Sequence, residues 1–209
     1  MKTLKITAIL FLFSCVLCIT SVQAQDARMG IKGGLNVTNL YLEDVNDENA
    51  RFGFNLGLYA QILSSDVFAI QPELLFSTKG AKWEYTGALD QTIDFNTNYL
   101  DLPVLAVFKL GKSAEIHAGP YAGYLLSAKI KYDGDFANGT DNIDRDDLNT
   151  IDYGLVGGFG LNFGAMQVGA RYNYGLAKIA NSDGAKSLLG DSKNSNAQLY
   201  VSFDLGNNK

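Results

Sequence analysis

The chain has 209 residues, 47% apolar, 11% aromatic and 19% charged, with 22 glycines, 3 prolines and a mean hydropathy of zero. That balance excludes a disordered acidic tail and a polytopic helical membrane protein, and it leaves room for one large all-β domain. A net charge of −5 argues against a nucleic-acid partner, and because both cysteines (Cys15 and Cys18) lie near the N-terminus, no disulfide or thiolate metal site is expected beyond them.

Lys2 and Lys5 precede the uncharged, mostly apolar run Ile6 to Ile19, and small and polar residues follow up to Ser21-Val22-Gln23-Ala24. Basic start, short apolar stretch and small-residue end are the order of a secretory signal peptide, which predicts a cleaved segment 1–24 and a mature domain 25–209. Lipid attachment at Cys15 is the lesser alternative, because Leu12-Phe13-Ser14-Cys15 resembles a lipobox only loosely.

From there the hydrophobicity alternates with period two, the signal of half-buried strands. Phe52, Phe54, Leu56, Leu58, Ala60 and Ile62 point one way, while Gly53, Asn55, Gly57, Tyr59 and Gln61 point the other. Eight such runs are expected, near 28–39, 51–62, 67–78, 98–110, 114–130, 151–163, 165–179 and 195–205. Most exceed the roughly 5–6 residues of soluble strands and suit tilted strands that cross a bilayer in about 9–11. The connections alternate long and short: 40–50, 63–66, 79–97, 111–113, 131–150, the single residue Gly164, then 180–194. This is the rhythm of a membrane meander with long outer loops and tight turns on the periplasmic side. The prediction is an all-β, eight-stranded, antiparallel up-and-down transmembrane β-barrel. A soluble lipocalin-like carrier, the competing barrel, would turn its apolar face inward.

Aromatics on the apolar face gather at two heights. Phe52, Phe76, Tyr153 and Tyr174 fall toward the long loops, and Phe68, Phe108, Phe163 and Phe203 toward the turns; Phe159, mid-strand, is the exception. The opposite face mixes glycine with polar and charged residues. An eight-stranded barrel is just wide enough inside to be filled by side chains, and isolated charges there are costly. Lys32, Glu73, Asp101, Lys109 and Arg171 are therefore expected to form a lumenal polar network whose role is structural.

Three stretches carry a family resemblance: Gly30-Ile31-Lys32-Gly33-Gly34-Leu35-Asn36, Gln71 through Gly80, and Tyr99-Leu100-Asp101-Leu102-Pro103-Val104-Leu105. With His117 through Tyr124 and Asp152 through Gly158, they resemble the outer-membrane β-barrel domain family of Bacteroidetes, often labelled porin-family or PorT-like. The resemblance covers essentially the whole mature chain and implies an OmpA/OmpX-like barrel in a Gram-negative outer membrane. Phe203 and Leu205 resemble a terminal aromatic assembly signal, although Gly206-Asn207-Asn208-Lys209 extend past it.

Residues for catalysis are sparse. His117, the single histidine, follows the short 111–113 connection and so belongs near the periplasmic end, without a nominated acid to orient it. The acidic stretch 133–147 fails the EF-hand pattern: Ala137 and Asn138 replace a ligand and the required glycine, and Asp144 stands where glutamate is needed. No catalytic, cofactor or metal residues are assigned. The expected function is a non-enzymatic outer-membrane barrel with a filled lumen, in contact with outer-membrane lipid and offering acidic loops to an extracellular partner. A narrow pore or secretion-accessory barrel is the alternative; a lipid-modifying barrel enzyme ranks below both.

Overall fold

A computed structural model describes residues 28–41, 50–85, 90–134, 138–143 and 147–206. The signal peptide predicted over 1–24, and the acidic residues Glu43, Asp44, Asp47, Glu48, Asp135, Asp144 and Asp146, lie outside the described residues. The strands are β1 (Arg28–Tyr41), β2 (Arg51–Gln61), β3 (Phe68–Tyr85), β4 (Gln91–Leu110), β5 (Ala114–Gly134), β6 (Gly139–Asn142), β7 (Ile151–Phe163), β8 (Met166–Lys178) and β9 (Lys193–Asp204). One short helix, α1 (Asp183–Leu189), precedes β9.

All strands but β6 form a closed antiparallel ring of eight. β1 pairs with β2 on one side and with β9 on the other, from Gly30↔Asp204 to Tyr41↔Lys193, while β4–β5 pairing completes the circle. Closure leaves the ring without a free edge, the condition for strands to survive in hydrocarbon. Gly111 (φ 69°) and Gly164 (φ 66°) occupy the two tightest turns, in the left-handed region where a Cβ is penalised.

The faces sort as the alternation predicts. Along β2, Phe52, Phe54, Leu56 and Leu58 are each at least half exposed, whereas Asn55, Tyr59 and Gln61 are buried. The same division runs around the ring, with Leu35, Phe108, Ile116, Leu155 and Leu199 outside and Lys32, Glu73, Asp101, Asp152 and Arg171 inside. An apolar belt this continuous needs a non-aqueous neighbour. Phe159 faces outward at mid-strand, as its parity requires.

Two features depart from the sequence reading. The segments expected as loops over 79–97 and 131–150 are partly strand: β3 and β4 stay paired to Tyr85↔Gln91, and β4 and β5 to Gln91↔Gly134. This ribbon rises past β2, whose ladder to β3 ends at Asn55↔Ser77, and β6 adds to its edge along Lys129–Tyr132. The ribbon persists because its inner face is apolar: Ala81, Phe95 and Ala128 are buried there. Second, α1 forms within the expected 180–194 loop, started by Ser182, whose side chain accepts a hydrogen bond from Ala185 N.

Candidate functional site

The interior holds two charge clusters, one above the other. Nearer the tight turns, Glu73 on β3 is shared by two cations. Lys32 Nζ donates to Glu73 Oε1 at 2.5 Å from β1, and Arg171 Nη1 donates to Oε2 at 2.6 Å from β8. Gln71 Nε2 donates to Oε1 at 2.7 Å, and Arg171 Nε donates to Gln198 Oε1. The Lys32 ammonium also lies 4.2 Å from the Tyr200 ring centre, a cation–π contact. Nearer the long loops the stoichiometry inverts. Lys79 Nζ donates to Asp101 Oδ1 at 3.0 Å and to Asp152 Oδ2 at 3.1 Å, flanked by the Tyr99 and Tyr121 rings. Tyr121 Oη and Asn194 Nδ2 donate to the same Asp152 oxygen, each at 3.1 Å. All six charged side chains are buried.

Each cluster satisfies the rule that charge without water must be paired and hydrogen-bonded. The group around Glu73 carries one net positive charge and the group around Lys79 one net negative charge, so the two clusters offset each other. Asn36 sits where β2 and β3 part, donating from Nδ2 to Phe54 O and Thr78 O, each at 3.0 Å, and accepting from Asn55 Nδ2 at 2.6 Å. Side chains thus replace the ladder where the two strands diverge.

The structure brings Lys32, Glu73 and Arg171 together and places Asp101 in the second cluster. Lys109 lies nearer the tight turns than either cluster. It stands one residue before the end of β4, and its long stem reaches sideways to the β2–β3 turn, where Nζ donates to Ser64 Oγ at 2.6 Å and Ser65 O at 2.9 Å. Sequence reasoning missed Lys79 and Asp152. Lys79 shares the parity of Gln71, Glu73 and Ser77, so continuing the alternation one step further would have placed it inside. Asp152 has the inward parity of Gly154 and Val156 on β7.

Above the clusters an apolar plug closes the mouth on the long-loop side. Leu40, Phe95, Tyr99, Leu125, Leu148 and Ile179 are buried together, and Trp83, Ile130, Ile143 and Ala185 pack against them. The plug is fastened by backbone bonds between two loop segments: Asn149 N donates to Ile179 O at 2.8 Å and Asn181 N to Asp147 O at 2.9 Å.

His117 is buried toward the tight turns, 4.0 Å from Glu115 Oε1 and with neither ring nitrogen hydrogen-bonded to protein. A histidine base needs a partner that orients its ring. Among the described residues, no group of three or more His, Cys, Asp or Glu side chains is placed to hold a metal ion.

A closed antiparallel ring with apolar residues outside and paired charges inside is a transmembrane β-barrel of the outer-membrane type. The profile of the outer membrane protein beta-barrel domain matches residues 23–181. The chain belongs to that family, and its place is the outer membrane, in contact with lipid. Among solved structures, Ail of Yersinia pestis, in complex with the heparin analogue sucrose octasulfate, aligns at a TM-score of 0.51 and 14% identity, covering 87% of this chain and 100% of that one. Neisserial surface protein A aligns at a TM-score of 0.47 and 12% identity, covering 87% of this chain and 99% of that one. None of the curated proteins matches the chain in sequence.

Proposed function

We propose that this protein is a closed, non-enzymatic barrel that stabilises the outer membrane and presents its extracellular loops to a partner. The observation that carries this reading is the pairing across the lumen of Lys32, Arg171 and Glu73, and of Lys79, Asp101 and Asp152, beneath the apolar plug. Charges fixed by opposite charges and roofed by Phe95 and Leu148 hold the ring shut rather than offer a path. Sulfated glycan, the ligand type of the Ail complex, is one chemistry against which the loops can be tested. Bacteroidetes PorT-like membership and a signal peptide ending at Ala24 belong to the same proposal. Amino-terminal sequencing of the exported protein is expected to start at Gln25.

The test is single-channel recording of the full mature protein in planar bilayers. Closed behaviour predicts no conductance steps above the lipid background. The second reading, a narrow pore or secretion-accessory barrel, draws support from polar side chains that continue from Gln61 and Gln71 up to Asn194. Regular steps that disappear when Glu73 or Lys79 is replaced would establish the pore and overturn the closed barrel.

A further inference from the structure

The two mouths of the barrel are built differently. An apolar plug roofs the long-loop end, whereas polar side chains line a cavity of about 20 Å³ at the tight-turn end. Gln61 from β2, Glu115 from β5, Asn162 from β7 and Asp204 from β9 share that lining.

Two acceptors in the lining are buried without a donor. Glu115 is 3% exposed and Gln61 4%, and neither Glu115 Oε1 nor Gln61 Oε1 has a hydrogen-bond partner within the protein. Buried polar atoms left this way call for water or an ion, and a bare carboxylate oxygen is the costlier of the two. Neighbouring cations are engaged elsewhere. Arg28 faces Asp204 at 3.8 Å, Lys32 is held by Glu73 at 2.5 Å, and Lys109 turns to Ser64 and Ser65. His117 Nδ1 stands 4.0 Å from Glu115 Oε1, beyond hydrogen-bond reach.

The orientation of Gln61 is set from the interior. Glu73, ionised between two cations, can only accept, so Gln71 presents Nε2 to it at 2.7 Å and offers Oε1 to the other side. Gln61 Nε2 then donates to Gln71 Oε1 at 2.9 Å. A flipped Gln61 would set oxygen against oxygen, so the relay leaves Gln61 Oε1 to the cavity. Asn162 Oδ1 accepts from Gln167 Nε2 at 2.8 Å, and Asp204 Oδ1 accepts from Tyr59 Oη. Each of these groups keeps a lone pair to give.

We propose that this cavity binds one calcium ion, held by the Glu115 carboxylate and Gln61 Oε1, with Asn162 and Asp204 completing the protein's share of its shell. The size selects a single atom, because one water needs roughly 10–15 Å³ and the cavity offers about 20 Å³. The ligands select calcium: all are oxygen, mixing carboxylate with amide, and they come from strand ends that suit a flexible shell. Magnesium keeps its waters and demands near-ideal octahedral geometry, which four separate strands do not supply. Amide oxygens stand in for a third acidic side chain. Bound there, the ion would tie β2, β5, β7 and β9 together across the tight-turn mouth, whether or not the lumen conducts.

The test uses folded, full-length mature protein in a non-ionic detergent, stripped of divalent ions by chelator and titrated calorimetrically with calcium chloride. One saturable site per chain is expected, with magnesium chloride at least about tenfold weaker. Glu115→Gln and Gln61→Leu should each weaken calcium about tenfold or more. Asp133→Asn/Asp141→Asn removes two carboxylates from the loop side and should leave the site intact. Gel mobility before and after boiling establishes that each variant is folded; where Glu115→Gln fails to fold, Gln61→Leu carries the comparison. Saturating calcium should also raise the urea midpoint of the parent in zwitterionic vesicles, but not that of Gln61→Leu. Absence of a saturable calcium heat would leave the cavity to water and overturn the assignment. So would parental calcium affinity in Gln61→Leu, or a loss of binding confined to the loop-side variant.

Discussion

Lys79 and Asp101 touch at 3.0 Å, yet replacing one or the other should have very different consequences. In Lys79→Met two buried carboxylates lose their common cation; in Asp101→Asn a one-to-one pair, Lys79 with Asp152 at 3.1 Å, survives. At an effective dielectric of about 20 each contact contributes roughly 5 kcal/mol of gross attraction. Asp101→Asn gives up one such contact, but it also removes the desolvation cost of a buried carboxylate, several kcal/mol, and its repulsion from Asp152, so the net change should stay within about 1 kcal/mol. Lys79→Met gives up both contacts and keeps both carboxylates buried, a loss of about 3–5 kcal/mol. Urea unfolding in lipid vesicles, followed by gel mobility and by the fluorescence of Trp83, the single tryptophan, would measure both variants. Equal destabilisation by the two, or a Lys79→Met protein within about 1 kcal/mol of the parent, would refute the idea that the shared ion governs each cluster. Glu73→Gln against Lys32→Met repeats the comparison with the signs reversed.

Three further outcomes are expected. Leu56→Arg places a cation on the lipid face of β2 and should cost about 2–4 kcal/mol if the position lies near the bilayer midplane, read as a lowered urea midpoint in vesicles. Phe95→Ala empties the centre of the plug and should cost about 3–5 kcal/mol, with faster protease cleavage on the loop side than in the parent. Gly164→Ala meets no atom within 4 Å but forces a Cβ into the left-handed region, so a purely conformational loss of about 1–2 kcal/mol should appear in the same unfolding assay.

The crossing strands were legible because lipid on one side and a crowded polar lumen on the other impose strict alternation. β2 is expected over 51–62 and found at Arg51–Gln61; 151–163 coincides with β7. The pattern fades above Leu100, where outward residues no longer face lipid. Asn98, Asn96 and Asp94 then look like loop, although Phe95 and Tyr99 between them are core. What holds that ribbon is contact with Leu148 and Ile179, far along the chain, and no local period announces such partners. Inward charges could be assigned by parity, so Lys32, Glu73 and Arg171 were within reach. Which anion each cation meets depends on the stagger of strands around the ring, and that separates Asp101 from Glu73. Lys109 has the correct parity but stands too near a strand end, where turn oxygens compete for its ammonium.

The ladder between β1 and β9 joins the first described strand to the last, so the ring cannot shut until Asp204 has been made. Contacts this distant in sequence form late. Glu73 spans that interval with two partners of different reach. Lys32, 41 residues away, is available as soon as β1, β2 and β3 associate, whereas Arg171, 98 residues away, arrives only with β8. The carboxylate therefore need not wait unneutralised for closure: one cation escorts it through assembly, and the second latches it when the circle is complete.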